Sequence, residues 1–363
     1  MSTRVLILTA STAAAQDQAA AALAGALREH DATVEVVDGL TLAGPPARAI
    51  IGGARRLDAA AGDLAGSAGY ALTTRTAALR RACSGALDAL TRRGIATFLR
   101  EHPADVVVST HPLWSQLLGR MRADGTLQAP AVSASADLAA LGFWAHPGID
   151  LHLVAHPDAA AEARDVAGSG ARVEAVHGLT GPGFLDPPER SAARTELALP
   201  TRGSLVVVSG RAGDLPVATD TALHYGADTV VVLARHDERA RVRLQAAYAD
   251  DGRVQVWGVA DSMVTLLAAA DALIHATAGL TVLEAWMCDC RVIAYGRARG
   301  RVRANNRAYE RLGMVAVART RPQLAHALIH ALAAPPVTRE VPALPAAADL
   351  VLGLTGRVPA RTG

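Results

Sequence analysis

The feature that most constrains this chain is an alternation that runs, stops and starts again. Short runs rich in Val, Ile and Leu, closed by Ser, Thr, Asp or Gly, alternate with Ala-rich stretches long enough for helices. Arg4-Val-Leu-Ile-Leu-Thr-Ala10, Thr33-Val-Glu-Val-Val37, Ala104-Asp-Val-Val-Val-Ser109, Pro130-Ala-Val-Ser-Ala-Ser135, Ile149-Asp-Leu-His-Leu-Val154 and Arg172-Val-Glu-Ala-Val176 read as strands. Residues 182–200 hold four Pro and no strand, and the pattern then resumes at Leu205-Val-Val-Val-Ser209. It continues through Thr229-Val-Val-Val-Leu233, Arg253-Val-Gln-Val-Trp257, Ala270-Asp-Ala-Leu-Ile-His275, Arg291-Val-Ile-Ala-Tyr295 and Met314-Val-Ala-Val317. Strands that are apolar throughout are buried on both faces, which is the mark of a parallel sheet covered by helices. The expectation is an α/β protein of two doubly wound, Rossmann-like domains facing across a cleft. Residues 1–182 form the first, 183–202 a linker, 203–338 the second, and 339–363 a tail whose helix packs back on the first. In such sheets ligands bind beyond the carboxyl ends of the strands.

Composition narrows the function. All 36 basic residues are Arg, and the formal net charge is only +2. That charge argues against a nucleic-acid partner, which needs concentrated positive charge. Aromatics make up 3% of the chain, so its cores must be built from Ala, Val and Leu. Cys83, Cys288 and Cys290 form no CxxC pair, so neither zinc nor a disulfide framework is indicated; the two later ones read as small hydrophobes. The start of the chain lacks a signal-peptide pattern, and no apolar run approaches a membrane span. The expected location is cytoplasmic, soluble or peripheral on the inner face of the membrane. Between 48 and 100 nine Arg stand against Asp58, Asp63 and Asp88. This is either a solvated helix face or a surface for anionic lipid or an acidic acceptor.

The chemistry concentrates after the strand ending at His275. Ala276-Thr-Ala-Gly-Leu-Thr-Val-Leu-Glu-Ala285 reads as a turn feeding a helix, with Glu284 about one turn in. Unpaired amides at a helix start favour an anion, and a carboxylate one turn along suits sugar hydroxyls. On the first sheet His111, Asp137 and the loop with Trp144 and His146 all lie beyond strand ends.

The ordered pieces resemble the glycosyltransferase B-fold (GT-B) family that holds MurG, the monogalactosyldiacylglycerol synthases and the bacterial diacylglycerol glucosyltransferases. The resemblance covers most of the chain. It is carried by Ala278-Gly-Leu-Thr-Val-Leu-Glu-Ala285, preceded by Trp257-Gly-Val-Ala-Asp-Ser-Met263. It is also carried by Asp105-Val-Val-Val-Ser-Thr-His-Pro112, Ser135-Ala-Asp137, Trp144-Ala-His-Pro-Gly-Ile-Asp150 and Gly178-Leu-Thr-Gly-Pro-Gly-Phe184. It implies an inverting transfer from a UDP-sugar co-substrate to a lipid or other hydrophobic acceptor, with no tightly held cofactor or metal. It further implies that Val259 and Ala260 hold the uracil, that Gly279, Leu280 and Thr281 meet the diphosphate, and that Glu284 holds the ribose. Ser209, Gly210 and Gly213 would form the facing lip.

Three departures fall at functional positions. Where the lipid branch carries a Gly-rich loop ending in His, this chain has Ser11-Thr-Ala-Ala-Ala-Gln16, and Gln16 cannot act as a base. The lip Gly210-Arg-Ala-Gly213 has fewer glycines than the family's. With Asn305 taken as the family's Asn, the pair that contacts the donor sugar is replaced by Arg301 and Val302. Residues 291–321 carry nine Arg and one acid, Glu310. Arg297, Arg299, Arg301 or Arg303 then meets donor phosphates, or the stretch is a solvated loop. For the base, Asp137 and His111 remain; Asp137 serves equally well as a helix cap, and His111 as an acceptor-orienting group. Trp144 and His146 line an acceptor pocket or belong to the core. Two further readings stay open: a degenerate family member that binds ligand without turnover, and a transferase acting on a soluble natural product.

Overall fold

In the computed structural model residues 2–10, 14–45, 49, 76–139, 141–276, 279–335 and 343–356 are described. The chain separates into two compact units. The first comprises Met1–Pro182, Arg299–Arg301 and Ala343–Gly363; the second comprises Gly183–Ala298 and Val302–Pro342.

The first unit is built on six parallel strands: β1 (Arg4–Thr9), β2 (Thr33–Asp38), β3 (Val106–Ser109), β4 (Ala131–Ser135), β5 (Leu151–Val154) and β6 (Val173–Ala175). Their order is β2-β1-β3-β4-β5-β6. Every residue of β3, β4 and β5 is buried, as continuous apolar runs require. The helix Pro112–Ala123 covers one face, with Trp114, Leu117, Leu118 and Met121 packed on Leu6, Leu8 and Val107. Trp114 is fully buried, and its indole N–H donates to the Thr9 carbonyl at 2.7 Å, so its polar atom is satisfied inside the core. Two glycines permit close backbone approaches around it. A Cβ on Gly39 would lie 2.5 Å from the Trp114 ring, and one on Gly94 would lie 2.0 Å from the Leu42 carbonyl oxygen. The tail belongs to this unit: Ala346 bridges His177, and the helix Ala347–Gly353 packs on the helix Ala14–Glu29. Of the Arg-rich region, 46–48 and 50–75 lie outside the described residues; the remainder is the helix Ala77–Glu101. Within that helix Arg92 is paired with Asp88 and Asp124.

The second unit repeats the plan with β7 (Leu205–Ser209), β8 (Thr229–Leu233), β9 (Val254–Trp257), β10 (Ala272–His275), β11 (Arg291–Tyr295) and β12 (Val315–Ala318), all parallel. The order is β12-β11-β10-β7-β8-β9. Its core is almost entirely Val, Ala, Leu and Ile, from Val206, Val208, Val230, Val232 and Ile274 on the sheet to Leu324 and Leu328 on the helix Arg321–Ala333. The Pro-rich stretch carries a helix, Arg190–Glu196, which is fixed to this unit by a buried charge. Arg194 donates to Asp271 Oδ2 at 2.8 Å and to the carbonyls of Ala269 and Gly203 at 2.9 Å. Asp271 Oδ2 also accepts from the Leu205 amide at 2.7 Å. Among the described residues no helix is long and apolar enough to cross a membrane.

Candidate functional site

Strand order locates the site in the second unit. From β7 the chain steps outward through β8 and β9, then returns to the other side of β7 with β10. The loops after β7 and β10 therefore diverge at the point where the winding reverses, and their ends leave an opening for a ligand. The register puts Ser209 beside His275, so the two strands finish together. After β7, Ser209 is buried and Gly210 runs against the β10 loop, where an added Cβ would lie 3.3 Å from Ala276 Cβ. Gly213 faces open space in a turn closed by the Asp214 amide donating to the Arg211 carbonyl at 2.9 Å.

After β10, Thr277 and Ala278 lie outside the described residues, and the helix Leu280–Met287 begins one residue ahead of the expected Thr281. Gly279 stands at its cap position and offers no side chain, so the amides of Leu280 and Thr281 have no hydrogen-bond partner among the described residues. The Leu280 side chain is buried, and Thr281 is partly exposed. One turn on, Glu284 is 4% exposed, and no described residue hydrogen-bonds its carboxylate. Burial alone pushes it up from 4.5 to about 7. On the far side of β8, the loop after β9 holds Val259 58% exposed and Ala260 half-buried.

Two neighbours were missed by the sequence reading. His275 ends β10 inside the site, where burial, followed by the nearby charge of Arg235, lowers it from 6.5 to about 4, so the ring is neutral near pH 7. Arg235, two residues past β8, is the charged group closest to that ring in chemical effect. A basic residue just beyond a strand at the sheet's carboxyl edge was the available signal.

In the first unit the reversal lies between β1 and β3. The residues Ser11, Thr12 and Ala13 of the loop after β1 lie outside the described residues; Gln16 is within the helix Ala14–Glu29 and buried. His111 follows β3 and caps the helix Pro112–Ala123, its Nδ1 accepting the Leu113 amide at 3.2 Å. An Nδ1 that accepts leaves the neutral ring's proton on Nε2, so in this arrangement His111 presents a donor rather than a base.

Asp137 is only 1% exposed. Its Oδ2 accepts from Trp144 Nε1 at 2.9 Å, and its Oδ1 accepts from Arg301 Nη1 at 2.6 Å. It anchors a buried indole and an arginine. Arg301 therefore pairs with the carboxylate offered as a base. Trp144 is core, 2% exposed. His146 Nδ1 accepts the Gly148 amide at 3.0 Å, and burial lowers this imidazole to about 4. Asn305 is fully buried in the helix Gly300–Arg311, which starts well before the expected position near 305. Among the described residues no cluster of three or more His, Cys, Asp or Glu could hold a metal ion.

Comparison with known proteins gives this geometry its context. Residues 16–179 match the family described as "Monogalactosyldiacylglycerol (MGDG) synthase". No curated protein matches the sequence. Among solved structures, MurG of Acinetobacter baumannii is 14% identical with a TM-score of 0.56, over 98% of this chain and 99% of that chain. Os79 from O. sativa, solved with U2F and trichothecene, is 15% identical with a TM-score of 0.61, over 91% of each chain. MnaA of S. aureus, solved with UDP, is 12% identical with a TM-score of 0.54, over 92% of this chain and 89% of that chain. At these identities the structural likeness establishes the fold, two six-stranded Rossmann-like units. The family match lies within the first unit and the GT-B architecture extends across both, so the chain has the GT-B fold and is similar, over its first unit, to the monogalactosyldiacylglycerol synthase family.

Proposed function

We propose that the protein transfers a sugar from a UDP-sugar to a lipid or other hydrophobic acceptor, with inversion, and that the donor sits at the carboxyl edge of the second sheet. One observation carries the donor half. Glu284 is a buried carboxylate without a hydrogen bond among the described residues, set one turn into a helix whose first amides are also unpartnered. A buried polar group left unsatisfied is expensive unless a ligand completes it. The ribose hydroxyls of a nucleotide can donate to Glu284 while the diphosphate takes the amides of Leu280 and Thr281, with the Thr281 hydroxyl beside them. Ser209, Gly210 and Gly213 border the phosphates from the β7 side, and Val259 and Ala260 border the base. No resident metal or cofactor is assigned. The helix dipole and nearby Arg residues supply the positive field for the departing diphosphate.

Inversion needs a base to take the acceptor's proton. Asp137 and His111 are the residues we assign to the acceptor side, Asp137 becoming a base once Arg301 releases it. In the arrangement described, its oxygens are occupied and His111 is turned to donate. That specific observation supports a second reading, a protein that binds the donor and turns it over slowly or not at all.

Calorimetry with UDP and UDP-sugars, followed by mass spectrometry of donor mixtures with lipid extracts, tests both. Absence of any UDP binding removes the donor assignment. Transfer that vanishes in Asp137→Asn removes the binding-only reading, and soluble rather than lipid products redirect the acceptor assignment.

A further inference from the structure

Arg235 holds a backbone conformation that its residue type disfavours. Its φ is 56°, in the left-handed region where a glycine pays no steric penalty and a long side chain does. The turn around it is closed by its neighbours rather than by its side chain. The Ala234 amide donates to the Trp257 carbonyl at 3.0 Å, the Arg235 amide donates to the Gly258 carbonyl at 2.8 Å, and the Asp237 amide returns to the Ala234 carbonyl at 3.1 Å. Asp237 then caps the helix Glu238–Ala247 by accepting the Ala240 amide at 2.9 Å. Glycine would satisfy every one of these bonds. Strain retained where the fold does not need it points to a use for the side chain.

Position says what the use is. Leu233 pairs with Ser209, and Ser209 pairs with His275, so β8, β7 and β10 end in one row. Arg235 stands two residues beyond that row, between the loop bearing Val259 and the helix start at Gly279–Leu280. β8 and β10 are separated by one strand, about 10 Å across, which a long side chain on the β8 loop can span in good part. Its guanidinium is exposed, and no carboxylate among the described residues pairs with it. His275 lies in its field and is kept neutral, so the positive charge is uncompensated. An exposed, unpaired guanidinium beside unpartnered helix amides matches a doubly charged phosphate group, which a planar fork can grip through two oxygens.

We propose that Arg235 binds the diphosphate of the nucleoside-diphosphate donor. It closes the anion site from the β8 side, opposite the amides of Leu280 and Thr281. The assignment rests on the donor placement proposed above and extends it to Arg235.

The test uses the full chain and three probes, UDP, uridine and inorganic pyrophosphate, measured by calorimetry on wild type, Arg235→Gly and Arg235→Lys. Arg235→Gly is expected to weaken UDP and pyrophosphate roughly ten- to a hundredfold, the loss of charge-assisted hydrogen bonds. Uridine affinity should stay unchanged. The same variant should melt at a higher temperature, because glycine relieves the backbone. Arg235→Lys should fall between the two for UDP, keeping charge without the fork. Equal UDP binding in wild type and Arg235→Gly overturns the assignment, as does parallel loss of UDP and uridine. Wild type that binds pyrophosphate but not UDP, with pyrophosphate lost in Arg235→Gly, keeps Arg235 as an anion ligand and rejects the uridine donor. Wild type that binds neither rejects both.

Discussion

Replacing Glu284 by Gln separates what the carboxylate does to the fold from what it does for a ligand. The group is 4% exposed, has no hydrogen-bond partner among the described residues, and is raised by burial from 4.5 to about 7. Because the folded-state value lies above the unfolded one, the folded protein holds this proton more tightly. The resulting penalty is absent below about pH 4.5, grows as pH rises toward 7, and is constant above that. The gap between 4.5 and about 7 corresponds to about 3 kcal/mol at pH 8. Gln is nearly the same shape and does not titrate. Glu284→Gln should therefore stabilise the ligand-free protein by about 3 kcal/mol at pH 8 and by almost nothing at pH 4, or roughly 6–12 °C in the melting temperature of a unit of this size at the higher pH. Differential scanning calorimetry across pH 4 to 8 measures it. Binding should move the other way. A ribose hydroxyl donating to a carboxylate contributes about 1.5–3 kcal/mol, so the variant should bind UDP roughly ten- to a hundredfold more weakly. A stability gain that does not depend on pH would refute the buried, unpaired carboxylate. Unchanged UDP affinity would refute its role at the ribose.

Other perturbations test the scaffold and the site from different sides. Arg194→Ala removes one of the two arginines on Asp271, leaving Arg190 at 3.1 Å, and takes the buried donor away from the Ala269 and Gly203 carbonyls at the amino-terminal edge of the second sheet; it should cost about 2–4 kcal/mol in urea unfolding. A loss below 1 kcal/mol would mean that the Arg190–Glu196 helix is not held there. Gly94→Ala should gain about 1 kcal/mol by helix propensity alone, yet its Cβ would lie 2.0 Å from the Leu42 carbonyl oxygen. The overpacking should win, giving a net loss of about 1–3 kcal/mol by denaturant titration; a more stable variant contradicts the close packing. His275, lowered from 6.5 to about 4 by burial and then by Arg235, should titrate near pH 4 in imidazole NMR spectra. Its folded value lies below the unfolded one, so the associated stability is complete above pH 6.5 and is lost as pH falls toward 4. An imidazole that titrates above pH 6 would show that the ring is not enclosed.

The strands were readable because each is apolar over its whole length, and burial on both faces leaves that pattern little freedom. Val106-Val-Val-Ser109 and Leu205-Val-Val-Val-Ser209 are buried at every position. Helix starts were less legible where the cap is unusual. The helix Gly300–Arg311 opens inside an Arg-rich run, so nothing in its first turn announces it. The helix Arg190–Glu196 showed only as a charged helix start among prolines; Glu189 caps it by accepting the Ser191 and Ala192 amides at 2.8 and 3.2 Å. Site residues divide in the same way. Glu284 was legible from its spacing along a helix, but not its burial, which depends on residues distant in sequence. The orientation of His111 follows from a cap bond two residues away, and the partners of Asp137 come from Trp144 and Arg301. The conformation of Arg235 is hardest to foresee, because its residue type argues against the backbone it adopts.

Two kinds of polar group are therefore present, and the difference between them bears on function. A side chain whose hydrogen bonds are complete within the fold contributes to stability, and recruiting it for chemistry means breaking what it already holds. Asp137 is of this kind: it binds an indole and a guanidinium at 1% exposure. His111 is so at one nitrogen, its Nδ1 holding the helix cap. A side chain left incomplete costs stability for as long as the site is empty, and that cost is returned when a matching ligand arrives. Glu284 and the leading amides of its helix are of this second kind, whereas the cost at Arg235 lies in its left-handed backbone, its exposed guanidinium being hydrated. Glu284 and these amides lie at the carboxyl edge of the second sheet, where, on the proposed reading, a nucleotide's hydroxyls and phosphates would complete them. The satisfied ones are those that an acceptor would have to recruit. On the proposed reading, donor binding calls on groups already waiting for it, whereas turnover with Asp137 as base would require it to exchange Arg301 for the acceptor's proton. The rate of that exchange, more than the affinity for the donor, is what separates an efficient transferase from a protein that only holds its substrate.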